Sequence, residues 1–266
     1  MGGAGMWSAG VWAALVLSGA IGVSLGLIGG GGSIITVPIL VYVAGLPVPE
    51  AVAMSLAVVG TTAAVGGYFQ ARAGHVHGQA ALIYGGTGMA GAALGAHLTH
   101  LVPAPVLMLL FAALMIWVGL GMARGQAEAE QSPCAECHPG KCAAAGLVIG
   151  VLTGFLGVGG GFLIVPALLR FARMPVPQAI GTSLVIIAVN SLAGFAAHHS
   201  DLGHGLDLGL AFTGTALMGL FGGLALGRHM KPVGLKRAFG GLSLLVAAYL
   251  IAMNVRPLLA MLAHHG

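Results

Sequence analysis

The chain has 266 residues, of which 58% are hydrophobic and only 6% charged, with a formal net charge of +4. A soluble domain carries roughly 25% charged residues, so this composition excludes a soluble domain and describes an integral membrane protein. In so sparsely charged a chain the positive excess reads as orientation in the membrane, and it gives no ground for expecting nucleic acid as a partner.

The N-terminal stretch Met1 to Ser18 lacks the basic residues that open a secretory signal and is expected to stay on the mature protein, leading into the first helix. Five apolar segments follow in each half. In the first half they run Val11 to Ile28, Ser33 to Ala44, Val48 to Gln70, Ala80 to Leu98 and Pro105 to Ala123. In the second they run Cys142 to Leu156, Phe162 to Ala172, Val176 to His198, Leu206 to Arg228 and Leu235 to Asn254. The second segment of each half has about 12 residues and covers about 18 Å, too little for a hydrocarbon core of about 30 Å. The first two segments of each half are therefore expected to form a broken or re-entrant pair, and the other three to span.

Each short segment follows a cluster of glycines, Gly26-Leu-Ile-Gly-Gly-Gly-Gly-Ser33 and Gly154-Phe-Leu-Gly-Val-Gly-Gly-Gly161, and carries a proline five residues further on, at Pro38 and Pro166. Glycines free the backbone from helical geometry, and irregular backbone at membrane depth survives only where protein or a polar cavity satisfies it. Sliding the sequence over itself lays Gly26 on Gly154, Pro38 on Pro166, Leu46-Pro-Val-Pro49 on Met174-Pro-Val-Pro177, Ser55-Leu56 on Ser183-Leu184 and Gly66 on Gly194. A further shift of about four residues lays Gly91-Ala-Ala-Leu-Gly95 on Gly223-Leu-Ala-Leu-Gly227. The chain is an internal duplication: residues 1–123 form the first transmembrane repeat, 124–141 a polar cysteine-containing loop, and 142–266 the second repeat.

Nine of the ten Lys and Arg residues fall on one side if the broken pairs return to their starting side, with only Arg256 opposite. The bias places the polar loop in the cytoplasm and both termini outside. Each half then crosses an odd number of times, so the halves are inverted, as in many secondary transporters. The fold class expected is all-α, a polytopic inverted-topology repeat with between six and ten helices.

The helices opening at Ser33 and Phe162 would turn free amides and the positive ends of their dipoles toward the middle of the membrane, where they attract anions. Candidate substrate-binding residues are accordingly Gly30, Gly31, Gly32 and Ser33 with Gly159, Gly160, Gly161 and Phe162. The third segments add Ser55, Thr62 and Gly66, spaced to share one helical face, and their counterparts Ser183, Asn190 and Gly194, with Thr61 and Thr182 flanking. Hydroxyls and an amide donate to oxyanion oxygens without the cost of a buried charge, although Ser and Thr in membrane helices also bond their own backbone. Asn190 is the strongest candidate of this set. No Asp, Glu, Lys or Arg lies mid-segment, which argues against a proton relay. Gly91 and Gly95, with Gly223 and Gly227, read as surfaces for close helix approach.

All three cysteines lie at the polar interval, as Cys134-Ala-Glu-Cys137-His138 and Cys142. CxxCH is a haem attachment pattern, but in a cytoplasmic loop Cys134, Cys137, His138 and Cys142 are better matched to zinc or to a reactive thiol; no other cofactor is expected. Most of the eleven histidines sit at segment ends and read as interfacial, while His75 with His77, and His198 with His199 and His204, are the pairs that could bind a metal or sense pH.

The glycine-rich break with its proline in each half, the Pro-Val-Pro segment start and the repeated Gly-Ala-Ala-Leu-Gly helix together resemble the sulfite exporter TauE/SafE family, from about Val23 to Leu250. The resemblance implies a multi-pass inner-membrane protein, not an enzyme, that moves sulfur-containing anions such as sulfite or sulfoacetate, commonly outward. A proton or sodium ion is the expected coupling partner, and lipid the surrounding one. The cysteine-bearing loop is not part of that family pattern. The rival readings are a divalent-metal transporter and a membrane redox or haem protein built on the CxxCH loop.

Overall fold

The computed structural model describes residues 9–99, 104–123, 139–156, 161–172, 174–198 and 206–227, together with parts of 234–254. The helices are α1 (Ala9–Ile28), α2 (Gly31–Tyr42), α3 (Val48–Arg72), α4 (Gly78–Thr99), α5 (Ala104–Ala123), α6 (Pro139–Leu156), α7 (Gly161–Phe171), α8 (Val176–His198), α9 (Leu206–Gly227) and α10 (Ser243–Asn254). No strand occurs among the described residues. Every expected apolar segment is a helix. Most boundaries agree within two residues; the described run of α6 opens at Pro139 where Cys142 is expected, and that of α10 at Ser243 where Leu235 is expected. The short helices begin at Gly31 and Gly161 rather than at Ser33 and Phe162.

Helix directions follow from which residues touch. Gly22 and Gly26 of α1 lie against Ala216 and Leu220 of α9, so register advances together and the two run parallel. Gly91 and Gly95 of α4 meet Leu147 and Val151 of α6 in the same sense. On α3, Gly60 meets Ser191 and Gly67 meets Val185, so α3 and α8 are antiparallel. The α3–α4 turn pins the remaining pair: the His77 N–H donates to Thr182 Oγ1 of α8 at 2.9 Å, and further along α4 Gly88 lies against Asn190, so α4 and α8 are parallel. With Met54 and Gly66 of α3 against Gly209 and Leu220 of α9, which makes those two parallel, these relations set α1, α3 and α9 one way and α4, α6 and α8 the other. Since α6, α8 and α9 are the repeats of α1, α3 and α4, the second half is the first turned upside down.

The halves are also interleaved. The first helix of each half packs on the fourth helix of the other, and both contacts are made through glycine: a methyl at Gly26 would strike the carbonyl of Leu220, and one at Gly154 the carbonyl of Ala92. Small residues allow such backbone approach where no hydrophobic effect drives helices together in lipid. Gly91, Gly95 and Gly223 are all at these close crossings, whereas Gly227 makes only ordinary contact with Leu27. The third helices, α3 and α8, pack on each other, Leu56 against Gly194 and Leu184 against Gly66, with both leucines buried.

The outer surface is apolar. Val16, Leu82, Trp117, Leu192, Leu210 and Met218 are each at least 70% exposed, an arrangement that water would penalise and hydrocarbon accepts. Three helices, Val48–Arg72, Val176–Ala196 and Leu208–Gly227, are long and apolar enough by themselves to cross a membrane. This is a polytopic membrane protein.

Candidate functional site

The first break is two residues long. α1 ends at Ile28, Gly29 takes φ +73°, and Gly30 (φ −164°, ψ −15°) leads into α2 with no side-chain cap. Gly29 is obligatory at this point on two grounds. Its φ is in the left-handed region, and a Cβ there would lie 2.6 Å from Ser183 Oγ and 2.9 Å from the Ile180 backbone. Ser183 uses that closeness: its hydroxyl is shared between the Gly29 carbonyl at 2.9 Å and the Ile180 carbonyl at 2.8 Å, tying the break of the first half to the central helix of the second. Ser33 Oγ donates back to the Gly30 carbonyl at 2.7 Å. The last carbonyls before α2 are thus satisfied, while the uncapped N–H groups of its first turn have no intrahelical acceptor.

The start of α7 meets the first break. A Cβ at Gly161, the first residue of α7, would lie 2.8 Å from the Gly30 Cα, 3.1 Å from Ser33 Oγ and 2.7 Å from Ile187 Cδ1. Ile187 stands midway along α8. Because α7 is the inverted copy of α2, the helices run away from this point in opposite senses and their N-termini face one another.

Along α8, Ser183, Ile187 and Asn190 share a face at spacings of four and three. The first two touch the breaks. Asn190 is 1% exposed, and neither its Nδ2 nor its Oδ1 has a hydrogen-bond partner. Gly88 of α4 gives it room: a Cβ there would be 2.6 Å from Nδ2 and 2.7 Å from Oδ1. Ser55, fully buried, likewise has an unpartnered Oγ, although its repeat-mate Ser183 is bonded. Leaving such groups unpaired costs about 1–3 kcal/mol each, so they mark a place where the fold gives up stability.

The remaining candidates fall elsewhere in role. Thr62 is buried and donates to its own helix at Val58 O (2.7 Å), and Thr61 is exposed and does the same at Ala57 O. Thr182 is an acceptor for the α3–α4 turn. Gly66 and Gly194 pack against leucines of neighbouring helices. Gly31 and Gly32 form the first turn of α2, with Gly32 against Ile21 of α1. Gly159 and Gly160 lie outside the described residues, and of Phe162 only the backbone is described.

Cys134, Cys137 and His138 also lie outside the described residues, and Cys142 is in the opening turns of α6. No group of three or more His, Cys, Asp or Glu side chains gathers among the described residues. His77 serves the fold, since its Nδ1 accepts the Ala80 N–H at 3.3 Å and caps α4, while His75 Nδ1 pairs with Gln70 Oε1 at 3.2 Å. Sequence reasoning missed Gly88, since a lone glycine in a glycine-rich helix gives no sign of facing an amide. It also missed the unpartnered, buried hydroxyls of Ser24, Tyr84 and Ser191.

Comparison with known proteins agrees with this architecture. A protein from Xylella fastidiosa (strain 9a5c) named "Probable membrane transporter protein" is 42% identical over 181 residues, 65% of this chain and 68% of its own length. Bacillus subtilis (strain 168) "Probable membrane transporter protein YdhB" is 28% identical over 180 residues, 65% of this chain and 73% of its own. No solved structure matches. The family model for the sulfite exporter TauE/SafE matches residues 14–250. With broken helices meeting between inverted halves and that match over most of its length, the chain belongs to the sulfite exporter TauE/SafE family of membrane transporters.

Proposed function

We propose that the protein is a secondary carrier of small sulfur-containing anions, sulfite or an organosulfonate, and that it works outward across the inner membrane by alternating access. The observation that carries this reading is the meeting of the α2 and α7 N-termini at Gly30 and Gly161, beside the middle of α8. Facing helix N-termini attract an anion with main-chain N–H groups and dipoles, and they do so at the junction of two inverted halves, where transporters hold cargo. Gly30, Gly31, Gly32 and Ser33 would form one side of the site and Gly161 with the start of α7 the other. Asn190 and Ser55 supply donors that the fold leaves unspent. Rocking of the halves about the α3–α8 crossing would expose the anion to either side in turn.

The decisive measurement is flux. Protein reconstituted in liposomes should release labelled sulfite down an imposed gradient, with imposed proton and sodium gradients showing which ion is coupled. Cells that overproduce the protein should retain less sulfite than cells without it. Folded protein that moves no sulfur oxyanion would overturn the reading, and greater retention by the cells would reverse the direction.

A further inference from the structure

Away from the cargo site, we infer that the seam between α3 and α9, at the end where Arg72 closes α3, binds an anionic phospholipid, its phosphate on the Arg72 guanidinium and an acyl chain against Phe69 and Phe221. With 25 residues, α3 is about 37 Å long, against a hydrocarbon core of about 30 Å, so its last turn reaches the headgroup layer. Tyr68, Phe69 and Phe221 are 57%, 46% and 47% exposed there. The Phe69 ring meets Tyr68 edge to face on its own helix, with centroids 5.6 Å apart, and Phe221 across the seam at 5.3 Å. The three rings give the junction of the two helices an apolar outer surface.

The Arg72 side chain turns back along α3 toward this surface. Its Nη1 donates to the Tyr68 hydroxyl at 3.3 Å, and its Cζ is 5.9 Å from the centroid of the Tyr68 ring, within reach of a cation–π attraction. Among the described residues no carboxylate shares its end of the molecule: the acids there, Glu50 and Asp207, open the parallel helices α3 and α9 at the opposite end. The helix terminus does not need the charge either. The carbonyls of Phe69, Gln70 and Ala71 already accept the N–H groups of Ala73, His75 and Gly74 at 3.1, 3.0 and 3.1 Å, in a turn that Gly74 allows with φ +76°. Gln70 and His75 pair with each other through their side chains. What is left is an exposed guanidinium, held by a tyrosine at headgroup depth beside an apolar surface, and a phosphate diester of net negative charge is its complement.

The repeat supplies an internal control. Tyr68, Phe69 and Arg72 correspond to Ala196, Ala197 and Ser200 in the second half. The architecture itself therefore requires neither rings nor a cation at these positions. They occur in the copy whose helix ends on the side where Lys and Arg concentrate, the cytoplasmic side by the charge bias, and basic sites between helices on that side take anionic headgroups.

The test titrates full-length protein in detergent with phosphatidylglycerol and, separately, with phosphatidylcholine of the same chains, and counts the lipid retained by native mass spectrometry. Phosphatidylglycerol should bind about tenfold more tightly, the effect of one charge-assisted contact. Arg72→Gln should abolish that preference, whereas Arg237→Gln, which takes an exposed charge from outside α3 and α9, should keep it. Phosphatidylglycerol with a photoreactive group in an acyl chain should label the unaltered protein on α3 or α9 around Phe69 and Phe221, a readout that needs no variant to fold. Equal binding of the two lipids, a preference that survives in folded Arg72→Gln, or labels confined to other helices would each overturn the proposal. Displacement of phosphatidylglycerol by inorganic phosphate would make this a site for the free ion and would overturn the lipid assignment.

Discussion

Asn190 and Ser183 occupy one face of α8 and make opposite bargains. Ser183 is bonded to the Gly29 carbonyl, so Ser183→Ala strands a buried acceptor and should lower stability by about 1–3 kcal/mol. Ser55→Ala, at the repeat-equivalent position, removes a buried hydroxyl that has no partner and should leave stability unchanged or raise it by up to about 1–3 kcal/mol. Thermal unfolding of the two variants in detergent checks the contrast, and equal losses would contradict it. Asn190→Leu discards two unpaired polar atoms at similar volume. It should leave the melting temperature unchanged or raised while cutting anion flux at least about tenfold, the exchange of stability for function expected of a working polar group. Parallel loss of folding and flux would make Asn190 a packing residue. Gly88→Ala tests the same amide from the other side, since the added methyl meets it at 2.6 Å. Flux should fall here too.

Helix positions were nearly all legible in the sequence, because an apolar run bounded by Gly, Pro or charge has few other outcomes in lipid, and the repeat supplied each boundary twice. The broken pairs were legible for the same reason: twelve residues cannot cross, and glycines explain why they stop. Partner choice was not. Gly26 and Gly154 stand in the sequence as the first glycines of the breaks, yet both are inside intact helices, α1 and α6, where they press on α9 and α4 of the opposite half. A helix that faces lipid on one side and protein on the other is apolar all round, so periodicity does not say which face packs. At the site, the sequence identified Asn190 by its rarity in an apolar span, but not the division between Ser55 and Ser183, which depends on a neighbouring carbonyl. The packing role is open to direct measurement. Gly154→Ala puts a methyl into the Ala92 carbonyl and should cost about 1–3 kcal/mol. Gly86→Ala, on α4 with nothing within 4 Å, should be neutral or gain up to about 1 kcal/mol from helix propensity.

For the whole molecule, the inverted arrangement converts one local fact into a global one: fixing the side of any single connection fixes every other. The α2–α3 connection, at Val43 to Pro47, and the α3–α4 turn, at Ala73 to His77, are at opposite ends of α3. Arg72 closes α3 beside the second of these, and the chain directions bring the ends of α7 and α9 and the start of α6 to the same side, where the sequence concentrates Lys and Arg. The positive side faces the cytoplasm in membrane proteins, so the α3–α4 turn should be inside and the α2–α3 connection outside. Pro47 and Ala73 are both exposed and suit single cysteines. With Cys134, Cys137 and Cys142 replaced by serine, Pro47→Cys should react with a membrane-impermeant maleimide on intact cells, and Ala73→Cys only after the cells are opened. The reverse pattern would invert the molecule, and with it the outward direction proposed for the anion. Labelling of both sites from one side would be incompatible with α3 spanning at all, and the inverted architecture could not survive that result.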